Sequence, residues 1–191
     1  MKIVNFDGMR ASGKSSQLSF LIKDLSTINL KTKIIHEKNY EPFRSLALTW
    51  GKNNKSFSLP DIREIAKARV EVYEHEVFPV IEYRDYLLFD RYFHTSAIYQ
   101  QGNLSMEEII NINLEEGAQN PNTSFIFVCN PILSFKRLRE RGNIFESLEE
   151  IAKRRELYIE LAKQHPELYL IDTTNKTENE VFEEVKLGLK L

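Results

Sequence analysis

Apolar residues fall in two rhythms along this chain. Five short runs, Lys2–Phe6, Lys33–His36, Tyr86–Phe89, Ser124–Cys129 and Leu168–Ile171, are rich in Ile, Leu, Val and aromatics and are bounded by polar or turn residues. Runs of this kind are expected of strands buried on both faces. Between them the spacing changes to three and four. Leu18, Leu21, Ile22 and Leu25 form one stripe within Ser15–Leu25, and Ile62, Ile65, Ala66, Val70 and Tyr73 form another within Leu59–Tyr83. Both patterns predict amphipathic helices. Pro60 suits a first helical turn, whereas Pro79 is expected to kink or divide the longer helix. Further helices are expected over Glu107–Gly117, Leu133–Arg141, Leu148–Lys163 and Glu178–Lys190, with Gly142 closing the second of these. Lys52–Ser58 and Gly142–Phe145 read as loops. The alternation of strand and helix predicts an α/β fold, a parallel sheet with helices on both faces, in one domain over residues 1–191.

Composition narrows the function classes. The chain has 191 residues, 42% hydrophobic and 28% charged, with a net charge of -2. A nucleic-acid polymer as partner is disfavoured by that charge, while a small anionic ligand held by local arginines is not. The single cysteine, Cys129, lies in the run Phe125–Cys129 and reads as a buried core thiol. No apolar run approaches the ~18 residues of a membrane span. The N-terminus runs straight into a strand without a signal-peptide core, so no membrane and a cytoplasmic location are the expectation. The four histidines, His36, His75, His94 and His165, show no metal-ligand spacing. His94 is either a structural residue or a substrate contact. Trp50 reads as a packing anchor rather than a cap on a ligand.

One motif carries chemistry directly. Gly8-Met9-Arg10-Ala11-Ser12-Gly13-Lys14-Ser15 matches G-x-x-x-x-G-K-[ST], after a predicted strand and at the start of a predicted helix. In that context backbone N–H groups from Gly8 to Ser16 can cradle phosphate oxygens, and the helix adds its positive end. Lys14 neutralises charge on the β and γ phosphates of ATP, and the Ser15 hydroxyl is a ligand for Mg²⁺. The strand Tyr86–Phe89 ends in Asp90. An acid there emerges at the carboxyl edge of a parallel sheet, where it can meet the metal. Arg91 follows at the same edge and is suited to phosphate.

At these residues the chain resembles the thymidylate kinases, members of the nucleoside monophosphate kinase group. Phe6-Asp7-Gly8 with Gly13-Lys14-Ser15-Ser16-Gln17 is similar to that family's opening. Asp90-Arg91-Tyr92-Phe93-His94-Thr95-Ser96-Ala97-Ile98-Tyr99-Gln100 resembles its D-R-Y-x-D-S-S-x-A-Y-Q signature. Arg137-Leu138-Arg139-Glu140-Arg141-Gly142 followed by Glu146 resembles its mobile lid, placed here at about 137–147. Leu168–Asp172 resembles its last strand, with the adenine loop after it. The resemblance implies strand order 2-3-1-4-5, ATP and Mg²⁺ as cofactors, and a homodimer. It implies that Arg91 lies beside the acceptor phosphate and that Arg69 reaches the acceptor's base or phosphate. Ser96, Tyr99 and Gln100 would line the acceptor pocket, Arg137 and Arg141 would close over ATP, and Arg44 would be a further phosphate arginine.

The chain also departs from the family's pattern. Arg10 stands where the family has an acid inside the phosphate loop, and Ile65 where it has an aromatic that stacks on thymine. Ala68 and His94 each replace an acid, and Ile144-Phe145 replaces an Asp-Arg before Glu146. The expected activity is transfer of the γ-phosphoryl of ATP to a deoxypyrimidine monophosphate such as dTMP. The alternatives are a kinase of a deoxynucleoside or other small hydroxyl compound, with Glu37, Glu41 or Asp90 as base, and a non-catalytic nucleotide-binding regulator.

Overall fold

The computed structural model describes residues 1–47, 57–142 and 146–191. Trp50, most of the predicted loop Lys52–Ser58 and the centre of the lid segment lie outside the described residues. The five strands are β1 (Lys2–Gly8), β2 (Thr32–Ile35), β3 (Tyr86–Asp90), β4 (Thr123–Val128) and β5 (Leu168–Asp172). They form one parallel sheet in the order β2-β3-β1-β4-β5, the order and class expected. Around it lie α1 (Lys14–Thr27), α2 (Leu59–Val72), α3 (Phe93–Tyr99), α4 (Met106–Glu115), α5 (Pro131–Glu140), α6 (Leu148–Gln164) and α7 (Glu178–Leu189).

The sheet separates two apolar layers. Val4 and Phe6 of β1 pack with Leu18, Leu21 and Leu25 of α1 and with Val181 and Val185 of α7. The rings of Phe6, Phe125 and Phe127 meet within this layer, Phe6 lying 5.4 and 5.6 Å from the other two. Ile3, one residue out of phase, packs on the other side with residues of α2, α3, α4 and α6. The period of two along a strand therefore sends Asn5 and Asp7 to that second face, where both are fully buried. Their placement there organises the site described below.

Several boundaries differ from the periodicity reading. The stretch Leu59–Tyr83 is α-helical only to Val72. It widens into a π turn over Tyr73–Val77 and tightens into a 3₁₀ segment over Phe78–Tyr83. The division thus comes ahead of Pro79, whose ring conflicts with the carbonyl one turn earlier. Helix α3 was not visible as a periodic segment. It is seven residues long, and Phe93, His94, Ser96, Ala97 and Ile98 are all buried. A helix buried nearly all round has no polar face to mark its period. Helices α2, α4, α6 and α7 start at capping boxes: Ser58 with Asp61, Ser105 with Glu108, Ser147 with Glu150, and Thr177 with Glu180. That S/T-x-x-D/E signal is legible in sequence. Asn130 caps α5 with Pro131 at its first turn, so that helix begins two residues ahead of Leu133.

Candidate active site

At the carboxyl edge of the sheet, β1 runs into the phosphate loop through Gly8. A Cβ there would lie 2.1 Å from the Phe127 carbonyl oxygen, and the residue has φ 127°, so glycine alone fits. Gly13 closes the loop at φ 93°. Met9 points inward: its side chain is 1% exposed and its N–H donates to the Phe127 carbonyl at 2.9 Å. Helix α5 fastens the loop from outside. Ser134 Oγ donates to the Arg10 carbonyl at 2.8 Å and Arg137 Nη1 to the Ala11 carbonyl at 3.0 Å.

Lys14 folds back across the loop and donates to the carbonyls of Gly8 (3.2 Å) and Met9. Burial, and next the nearby Arg91, hold its ammonium well below the ordinary lysine pKa. Anionic oxygens arriving in the loop would favour the charged form again.

Asp7 is the hub that the sequence reading passed over. One of its carboxylate oxygens accepts from the N–H groups of Tyr92 (3.1 Å) and Thr95 (3.0 Å). The other accepts from Gly8 N–H (2.9 Å), the Thr95 hydroxyl and Tyr158 of α6 (3.3 Å). Burial pushes the carboxyl upward, but Arg91, His94 and the hydrogen bonds outweigh it and hold the pKa below the usual range. An acid at a buried position of β1, next to the phosphate loop, was the signal available for it.

Asp7 fixes the turn after β3 and thereby Arg91. That residue has φ 71°, its N–H donates to the Phe6 carbonyl at 3.0 Å, and Nη1 donates to the Gly8 carbonyl (3.0 Å) and Thr95 Oγ1 (3.1 Å). Asp90 lies beside it, its carboxylate 3.2 Å from His36 Nδ1. His94 accepts at Nδ1 from the Asn5 amide at 3.0 Å. Burial holds it down to about 4, against the pull of Asp7. It is a neutral structural residue beneath the site, which resolves the two readings left open for it.

Arg69 lines the acceptor end of the site from within the core. It is 2% exposed. Nε and Nη2 grip the two oxygens of Glu37 at 2.5 and 3.1 Å, Nη2 also reaches Ser96 Oγ at 3.0 Å, and Nη1 reaches Asn113. The rings of Phe43 and Tyr92 lie 5.2 and 5.4 Å from its guanidinium. Four of its five N–H groups are therefore engaged and its charge is neutralised by Glu37. Arg69 therefore offers direction rather than net charge.

A cavity of about 420 Å³ joins these parts. Arg10, Ala11, Lys14 and Ser15 line one end, Glu37, Phe43, Arg69, Ser96 and Gln100 line the other, and Asp90, Arg91 and Arg141 lie among them. A second cavity, about 160 Å³, is lined by Ser12, Gly13, Ser16, Gln17, Arg137, Arg141, Thr173 and Lys176. Arg141 borders both. Two expected residues lie elsewhere. Arg44 lines an adjoining concavity that shares Lys38 with the main one. Tyr99 is not among the residues lining the main cavity, and Arg154 lies 4.2 Å from its ring centre. Ile65 is buried at 2% and is not among the lining residues; Phe43 and Tyr92 provide the aromatic surface instead.

A phosphate loop at the edge of a 2-3-1-4-5 sheet, opening into a cationic cavity that continues past Arg91, defines an ATP-dependent phosphotransferase of the nucleoside monophosphate kinase type. Comparison with known proteins agrees and is more specific. The family model described as thymidylate kinase matches residues 6–185, so the chain belongs to the thymidylate kinase family. Among its relatives, the thymidylate kinase of Thermosipho melanesiensis is 29% identical, covering 96% of this chain and 94% of the relative. That of Plasmodium falciparum is 25% identical over 96% and 89%. The crystal structure of the Ehrlichia chaffeensis thymidylate kinase superposes with a TM-score of 0.70 at 19% identity, covering 100% of this chain and 98% of that one, which is a likeness of fold.

Proposed function

We propose that the acceptor is a deoxypyrimidine monophosphate, dTMP first, bound in the Arg69 end of the main cavity, with ATP on the phosphate loop. The observation that carries this reading is the charge of the cavity lining. Among the described lining residues, Arg10, Lys14, Lys38, Arg91 and Arg141 face it against Asp90, since Arg69 and Glu37 cancel one another. A site so charged favours two polyanions meeting head to head. The second cavity, beside Gln17 and Thr173, takes the donor's base.

Transfer is in line: an acceptor-phosphate oxygen forms the new bond to the γ-phosphorus as the bond to the bridging oxygen breaks, and ADP leaves with the electron pair. A dianionic acceptor phosphate brings no proton, so no general base is required, and catalysis consists of positioning and charge neutralisation. Lys14 and Arg91 hold the phosphates from fixed backbone positions. Arg137 and Arg141 close from α5, within the lid at 137–147. The Ser15 hydroxyl and Asp90 carboxylate line one cavity and are hard oxygen donors suited to Mg²⁺, which would neutralise phosphate charge there. Ser96, in contact with Arg69, and Gln100 face the acceptor base. Glu37 is too firmly held by Arg69 to serve as base toward a hydroxyl acceptor, which weighs against a nucleoside kinase. A homodimer in the cytoplasm completes the reading by family likeness.

The test is an ADP-release assay across the common nucleosides and their monophosphates. We expect turnover with dTMP and none with thymidine. Turnover of a nucleoside with none of any monophosphate would overturn the reading.

A further inference from the structure

Tyr158 carries a buried hydroxyl that the transfer described above does not use. It lies on α6, is 0% exposed and is not among the residues lining the main cavity. Its hydroxyl donates to Asp7 Oδ1 at 3.3 Å and lies 3.4 Å from Thr95 Oγ1. The same two oxygens face Arg91, whose Nη1 donates to Thr95 Oγ1 at 3.1 Å and stands 4.0 Å from Asp7 Oδ1. Tyr158 and Arg91 are therefore two donors beside one pair of oxygens. Of the two, only Arg91 also reaches the cavity, with 29% of its side chain exposed.

We propose that Tyr158 is a positioning residue for the transfer: its hydroxyl occupies the Asp7 and Thr95 oxygens and so leaves the Arg91 guanidinium available to phosphate. The other Asp7 oxygen is filled by the N–H groups of Tyr92 and Thr95, so Oδ1 is the one that can draw Arg91 in. Asp7 is fully buried, and a carboxylate in a low-dielectric interior attracts a neighbouring guanidinium strongly. The remaining donors to Oδ1 are the Gly8 N–H, which is backbone, and the Thr95 hydroxyl on the buried helix α3. Burial, and next Asp7 itself, push the pKa of the Tyr158 hydroxyl well up, so it keeps its proton and donates throughout. Without that hydroxyl, Oδ1 loses a donor. Among the described residues, Arg91 is the neighbour whose long side chain can close the remaining distance. An arginine drawn onto Asp7 is neutralised there and lost to the phosphates. Tyr158 forms and breaks no bond in the reaction. The inference rests on Arg91 as a phosphate ligand in ATP-dependent transfer and not on which monophosphate accepts.

The test is a double-mutant cycle of Y158F with R91Q, in which kcat and KM are measured per folded protein, alongside Tm. The acceptor is whichever monophosphate the wild-type protein phosphorylates, so failure of dTMP alone counts against the acceptor assignment and not against Tyr158. Y158F should lower kcat/KM by about tenfold. Added to R91Q, it should change kcat/KM by less than about twofold, because no guanidinium remains to be displaced. A packing defect alone would lower both backgrounds equally. If Y158F does not fold, T95A takes its place in the cycle, with T95S keeping the hydroxyl and a rate near wild type. Equal losses in the two backgrounds, or wild-type activity in the variant that lacks the hydroxyl, overturn the proposal. Wild-type activity in R91Q would remove Arg91 from the phosphate site, and the proposal with it.

Discussion

At the phosphate-loop end of the main cavity, the groups facing the ligand are held by backbone. Gly8 is wedged against Phe127, Lys14 lies on the carbonyls of Gly8 and Met9, and Arg91 leans on the Gly8 carbonyl. At the opposite end the holding is done by side chains: Glu37, Ser96 and Asn113 on Arg69, with two aromatic rings alongside. The difference has a physical reason. Phosphate is recognised by charge and by oriented N–H groups that any sequence can supply, so one short motif suffices. A base is recognised by the direction of a few donors and acceptors, and each must be aimed by neighbours brought from several elements. The first kind of site tolerates change in its surroundings; the second couples recognition to stability.

That contrast is open to test, and Arg69 offers the largest effect. Arg69→Ala leaves Glu37 buried without a partner and should cost about 3–5 kcal/mol of stability, read by urea denaturation. Replacing both residues of the pair with methionine should cost less than Arg69→Ala alone, since no orphaned charge remains. If Arg69→Ala is as stable as wild type, the acceptor end is not built as described.

Lys14→Ala should do the reverse. Turnover should fall by about 10²–10³-fold, or roughly 2.7–4 kcal/mol in the transition state, while the urea midpoint stays near wild type. Comparable losses of stability for Lys14→Ala and Arg69→Ala would erase the distinction between the two ends.

A third measurement concerns pH. His94 is buried neutral, with its pKa held from 6.5 down to about 4. A depressed folded-state value means stability that is present above pH 6.5 and is lost as pH falls through 4. With Asp7, His165, Arg69 and Glu167 as the charged neighbours, this one group accounts for about 3 kcal/mol across that window. H94Q, examined by denaturation at pH 7 and pH 4.5, should show a shallower acid slope than wild type. An unchanged slope would remove His94 as its source.

The smallest effect is expected at Arg44. It lies in the adjoining concavity with Lys38 and Asn39, so Arg44→Ala should raise the acceptor KM only a few-fold, under about 1 kcal/mol. Arg91→Ala should change it much more. Equal effects would place Arg44 within the acceptor site after all.

Much of this molecule was legible from sequence because the relevant signals are local. The five apolar runs specify five strands, although the edge strands β2 and β5 are only partly buried, Gly8–Ser15 specifies the loop that follows the first, and Asp90-Arg91 specifies a charged edge. Each depends on residues within about ten positions of one another. Helix α3 was hidden because it is buried nearly all round, and the interruption at Tyr73 because periodicity does not register a π turn.

What only the tertiary structure decided are the partners of charged residues that are distant in sequence. Arg69 finds Glu37 across 32 positions, Asp7 finds Tyr158 across 151, and Arg10 meets Glu146 from the far side of the phosphate loop. Periodicity reports which face of an element is buried, because burial follows apolar area. It does not report which buried charge neutralises which, because that depends on the packing of whole elements. The sequence by itself therefore determined a phosphate-binding α/β fold, and the tertiary structure decided that Arg69 is a neutralised, aimed donor and that Asp7 holds Arg91 in place.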